Sequence, residues 1–132
     1  MVIEFANAKM ELCVNKVEEV FDSVGYEMFS ELDAQLTDES LLTLDVHQIK
    51  GTVRKGNQTG AFIGWTLGNI TFTVNCFDGK HVEYCKALDI LYEDGTKSRA
   101  TKLYANETAF TEALVDSALI LASSSGKLFR LK

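Results

Sequence analysis

From Leu41 to Tyr92, apolar and polar side chains alternate, interrupted by turns that contain glycine. A period of two sends successive side chains to opposite faces, so the stretch predicts a half-buried antiparallel sheet. Leu42, Leu44 and Val46 share one face of its first strand, and the apolar phase then passes to Ile49 and Val53. That shift predicts a bulge near His47 and Gln48, because a slip of one residue moves every later side chain to the other face. Ala61, Ile63, Trp65 and Leu67 continue the alternation, and Ile70, Phe72, Val74 and Cys76 carry it on with the opposite parity beyond Gly68-Asn69. The reading there is one strand with a bulge or sharp bend. Asp78-Gly79 marks a hairpin. A three-residue turn through Lys80 sets Val74 opposite Tyr84 and Cys76 opposite Val82, and extends the apolar face to Leu88, Ile90 and Tyr92. A second turn, Glu93-Asp94-Gly95-Thr96, leads into Lys97 to Tyr104, whose polar composition is that of an edge strand.

Helical periodicity flanks this sheet. Met10, Cys13, Val14, Val17, Phe21 and Val24 form one apolar stripe, which predicts a helix from about Lys9 to Val24, with Asn7 as N-cap and Gly25 as its left-handed stop. Asn106 caps a last helix to about Ala122, packing through Phe110, Ala113, Leu114, Ser117, Ala118 and Leu121. Short strands at Val2 to Phe5 and Leu128 to Leu131 are optional additions. The expected fold is α+β: an antiparallel sheet of about four strands with two helices on one face, in the order α-β-β-β-β-α. At 132 residues, without proline, repeats or a linker, the chain reads as a single domain over 1–132.

Charge narrows the partners. Nineteen acidic against thirteen basic side chains give a net charge of −6, which repels a phosphate backbone. The densest basic group, Lys50, Arg54 and Lys55, is not interleaved with the aromatic residues that stacked bases require, so nucleic acid is not an expected partner. No apolar run reaches the roughly twenty residues of a membrane-spanning helix, and the start of the chain lacks a secretory signal.

Candidate chemistry is sparse. Cys13 and Cys76 fall on buried faces, and Cys85 on the opposite sheet face, out of register for a bridge with Cys76. His81 lies close to Cys76 across the hairpin, but no third group is in place to orient its ring. His47 lacks the further ligands zinc needs. The glycines at 56, 60, 64 and 68 precede a strand, not a helix, so they form no phosphate loop. No catalytic residue, metal ligand or cofactor is therefore expected. Trp65, in its glycine-flanked segment, is a candidate anchor for a ligand or partner if exposed. With Tyr84 and Tyr92, and with Lys97, Arg99 and Thr101 on the edge strand, it makes up the candidate binding set.

The helix ending at Gly25, Leu42-Thr43-Leu44-Asp45-Val46, Asn69-Ile70-Thr71-Phe72-Thr73-Val74, Asp78-Gly79-Lys80 and the closing helix with Glu112-Ala113-Leu114-Val115-Asp116 occur in an order that resembles the small bacterial cell-envelope lipoproteins of the YajG-like type. The resemblance implies a periplasm-facing module without an enzymatic site. That location also requires that an export signal has been removed; otherwise a cytoplasmic location is expected. The leading expectation is a non-catalytic interaction or assembly module that pairs with another protein or with itself. The alternatives are a small-molecule binding protein or enzyme, with a pocket lined by Trp65, Phe72, Tyr84 and Tyr92, and a small acidic chaperone or inhibitor of another protein.

Overall fold

The computed structural model describes residues 2–126, and the side chains of all of these except 2–7, 42–43 and 123–126. A long helix α1 (Val2–Gln35) and a short one, α2 (Asp38–Thr43), precede a meander of strands β1 (His47–Lys55), β2 (Gln58–Leu67), β3 (Ile70–Cys76), β4 (Val82–Leu91) and β5 (Lys97–Tyr104). Helix α3 (Glu107–Gly126) follows. The strands lie side by side in chain order, all antiparallel, leaving β1 and β5 at the edges. Thus the α+β architecture holds, with five strands where about four are expected. No described helix is long and apolar enough to cross a membrane.

The extra strand comes from Gly68-Asn69. Gly68 adopts φ of +62°, a conformation open to glycine, and Leu67 pairs with Ile70, so the segment is a two-residue hairpin turn and not a bend within one strand. Asn69 ties that turn to β4: its Nδ2 donates to the Asp89 carbonyl at 3.0 Å, and the Asp89 N–H donates to its carbonyl at 3.0 Å. The β3–β4 hairpin keeps the expected register, Val74 opposite Tyr84 and Cys76 opposite Val82.

Helix α1 runs past Gly25 because the apolar stripe continues at four-residue steps through Met28 and Leu32, both fully buried. A Cβ on Gly25 would meet Trp65 at 3.6 Å, so the glycine lets the indole lie against the helix rather than ending it. Val2 to Phe5 belongs to α1 and forms no leading strand. Residues 38–43 are helical because the Thr37 hydroxyl accepts the Ser40 N–H at 3.2 Å and Asp38 and Glu39 occupy the first turn. With the strand starting at His47, β1 pairs without interruption from His47↔Thr66 to Lys55↔Gln58, and the expected bulge is absent. The segment Leu128 to Leu131 lies outside the described residues.

Helices α1 and α3 share one sheet face. Cys13, Val17, Val24, Met28 and Leu32 of α1 meet Ile63, Trp65, Phe72, Val74 and Cys76 of the sheet, and Phe110, Leu114 and Ala118 of α3 complete the core. Phe110 is its hub, with ring centroids 5.7 Å from Phe72, 5.4 Å from Tyr84, 6.1 Å from Tyr104 and 6.3 Å from Trp65. As expected, Asn106 caps α3: its Oδ1 accepts the Ala109 N–H at 2.8 Å.

Candidate functional site

The candidate binding residues do not converge. Trp65 is 3% exposed, its indole stacked on Phe21 with centroids 4.3 Å apart, so it cannot serve as an exposed anchor. Tyr84 is half-buried against Phe110. Tyr92, 51% exposed, belongs to the β4–β5 turn, where its N–H donates to the Thr96 carbonyl at 2.9 Å. The pocket expected between Trp65, Phe72, Tyr84 and Tyr92 is filled by the ring of Phe110 and lacks Tyr92.

Lys97, Arg99 and Thr101 do lie together on edge strand β5. Arg99 is held by Asp89, Nε to Oδ1 at 2.7 Å and Nη2 to Oδ2 at 3.4 Å. The same bond keeps the Asp89 carboxyl below its ordinary pKa and raises that of the guanidinium.

Titratable groups are distributed rather than clustered. His81 Nδ1 sits 2.7 Å from Asp78 Oδ2, while the backbone N–H groups of Lys80 and His81 donate to Asp78 Oδ1, each at 2.8 Å. These bonds hold the Asp78 carboxyl well below the usual carboxylate range, and they turn His81 into a turn residue. Cys76, by contrast, is fully buried; burial first, and then a hydrogen bond with Cys13, push its thiol up to about 11. The conceivable Cys76–His81 pair therefore joins a protonated core thiol to an exposed ring engaged elsewhere. His47 Nε2 lies 2.6 Å from Asp45, on exposed surface. Among the described residues no three His, Cys, Asp or Glu side chains are grouped to hold a metal.

The feature that sequence reasoning missed is the edge at β1. An antiparallel ladder alternates bonded and unbonded pairs, so each inner residue bonds to one side only. The Tyr92–Thr96 bond fixes the phase at the β4–β5 end, and the Asp89 N–H directed at Asn69 agrees with it. Carried across the registers, this alternation points the main-chain groups of Lys97, Arg99, Thr101 and Leu103 off the β5 edge. It likewise points those of Gln48, Lys50, Thr52 and Arg54 off β1. On β1 the side chains of those four residues lie on the helix side of the sheet, because Gln48 and Lys50 pair with the inward-facing Trp65 and Ile63. Helix α1 packs over β2 and β3 instead, so among the described residues the helix-side surface of β1 is left largely open.

Two grooves occupy this gap. One, of about 370 Å³, is lined by Phe21, Gly25, Tyr26, Phe29, Val46 and Trp65 beside Gln48. The other, of about 390 Å³, is lined by Val14, Val17, Glu18, Ala61 and Ile63 beside Lys50. Tyr26 is 75% exposed and Phe29 half exposed. Two aromatic residues off the buried stripe of α1, together with a strand holding three cations and no carboxylate, were the available signals. A larger groove of about 740 Å³ between α1 and α3 is rimmed by Glu27, Glu31, Glu107, Glu112 and Asp116.

No family model, curated protein or solved structure matches the chain.

Proposed function

We propose that the protein is a non-catalytic interaction or assembly module whose contacts are made by main-chain pairing at the open edges of its sheet. The supporting observation is that both outer strands direct a row of N–H and C=O groups off the sheet, a template for an added strand. The filling of the space between sheet and helices by Phe110 favours this reading over a small-molecule pocket. Residence at a cell envelope, implied by the resemblance to YajG-like lipoproteins, belongs to the same proposal, and fractionation of cells carrying the intact gene tests it.

A proline at Thr101 on β5, or at Thr52 on β1, removes an N–H directed off the edge and spares the ladder within the sheet. The tagged chain is recovered from its source cells, any co-purifying protein is identified and made separately, and its binding to each variant is measured. At least one of the two proline variants is expected to bind at least about tenfold more weakly, a change of about 1.4 kcal/mol, with unchanged circular dichroism. Equal binding by both variants would overturn the proposal, as would turnover of a small molecule by the purified chain.

A further inference from the structure

Building on the module reading, we infer that β1 is the docking edge and that its occupant is an extended acidic-apolar segment of another protein, added antiparallel to His47–Lys55. The side of the sheet that each edge presents selects β1 over β5. The outward-directed residues Gln48, Lys50, Thr52 and Arg54 have their side chains on the helix side, and directly opposed residues of a paired strand share a face. Alternate side chains of the added strand therefore fall on that side as well, where both grooves open. On β5 the corresponding residues, Lys97, Arg99, Thr101 and Leu103, face the side of the sheet that carries no helix, and Leu103 is 60% exposed.

The grooves fix the spacing. The residue opposite Gln48 enters the aromatic groove at Phe21, Gly25 and Phe29; the residue opposite Lys50, two positions away, enters the aliphatic groove at Val14, Val17 and Ile63. A residue opposite Arg54 lies four positions, or about 13 Å, beyond Lys50. β1 holds Lys50, Arg54 and Lys55 and no acidic side chain. Lys55 is engaged by Glu83 at 2.6 Å, whereas Arg54 is in no ion pair among the described residues, so a carboxylate opposite Arg54 complements it. Glu18 and Asp22 rim the grooves and face the apolar part of the segment. In the direction of the added chain the motif is acidic-x-x-x-aliphatic-x-apolar.

Charge also decides against the occupants closest at hand. Pairing β1 with a second copy's β1 or β5 sets cations against cations, since β5 carries Lys97 and Lys102, which are in no ion pair among the described residues, and no carboxylate of its own, while its Arg99 is engaged by Asp89. Lys127, Arg130 and Lys132 make the segment after α3 equally unsuitable.

The probe is a fluorescein-labelled peptide, Asp-Thr-Thr-Thr-Val-Thr-Leu, titrated with the full chain and read by fluorescence anisotropy. Saturable binding with a Kd on the order of 1–100 µM is expected. Val14→Lys and Phe29→Lys, both at solvent-accessible positions, are each expected to weaken it roughly tenfold. Arg54→Glu should do the same and should be rescued by a peptide with lysine in place of aspartate. Thr52→Pro should abolish binding and Thr101→Pro should leave it unchanged. Each variant is first checked for native circular dichroism, and Arg54→Glu with its rescue stands if a groove variant fails to fold. Absence of saturation at about 1 mM peptide overturns the inference, as does equal binding by Arg54→Glu. So does a dimer in sedimentation that dissociates on Thr52→Pro and ignores the peptide, because the occupant is then a second copy. Loss on Thr101→Pro alone refutes β1 as the edge while leaving the module reading intact.

Discussion

Gly25 sits inside α1 with its backbone against Trp65, and it costs helix stability without being needed for a turn. A Cβ there would meet the indole at 3.6 Å, ordinary van der Waals contact. Gly25→Ala is therefore expected to stabilise the chain by about 0.5–1 kcal/mol in urea unfolding, the helix-propensity difference between the two residues. A loss of stability would mean that the indole needs the full space of the missing methyl. Cys76 gives a second residue-scale test. Its thiol is pushed up to about 11 by burial and by Cys13, so at pH 8 it is almost wholly protonated and out of reach of solvent. Cys85 is only half-buried. Ellman's reagent should label Cys85 first, and Cys76 only at the rate of unfolding; equal rates would show that the α1–β3 packing opens readily.

Among the elements, what could be read in advance was whatever is set by local chemistry. The β3–β4 register followed from placing Val74, Cys76, Val82 and Tyr84 on one face, and α3 began where the Asn106 side chain could cap it. The errors arose where tertiary packing, or a second local signal, outweighed the one that had been followed. Gly25 looks like a helix stop, but Met28 and Leu32 reward continuation. Leu42, Leu44 and Val46 alternate like a strand, but the Thr37 cap makes the first of them helical. Ile49 and Val53, apolar and strand-like, lie on the helix-free side of β1, with Phe62 on the neighbouring strand packed over Gly51. The candidate site was half legible: the polar composition of β5 marks an edge, whereas the grooves beside β1 depend on where α1 happens to cross. Helix α3 adds a test of its own. It joins the sheet through Phe110 together with Leu114 and Ala118, and the Phe110 ring meets aromatic rings of β2, β3, β4 and β5. Phe110→Ala removes that fully buried hub from the core, and a loss of about 3–5 kcal/mol is expected. Thermal unfolding with a drop under 1 kcal/mol would indicate that α3 is held by something other than this cluster.

Across the whole molecule, charge divides by layer. Residues 9–46 and 107–126, essentially the helices, carry thirteen carboxylates against two cations, whereas residues 47–104 carry eight cations against five carboxylates. Such a separation leaves the sheet edges attractive to acidic segments although the chain is net acidic. It also crowds like charges where α1 and α3 run together, with Glu27 and Glu31 across the groove from Glu107, Glu112 and Asp116. Only Glu107 among these has a side-chain donor, the Ser23 hydroxyl at 2.9 Å, within the described contacts. If that crowding destabilises the fold, replacing one carboxylate with a cation should relieve it. Glu112→Lys is expected to raise stability by about 0.3–1 kcal/mol at low ionic strength, the range for exposed pairs, and most of the gain should vanish near 1 M salt. Glu93→Lys, in the exposed β4–β5 turn, makes the same change in net charge away from the groove and isolates the local effect. A gain for Glu112→Lys alone, screened by salt, places the repulsion between the two helices. Equal gains for both substitutions would trace it to overall charge, and no gain from either would mean that solvent already screens the groove.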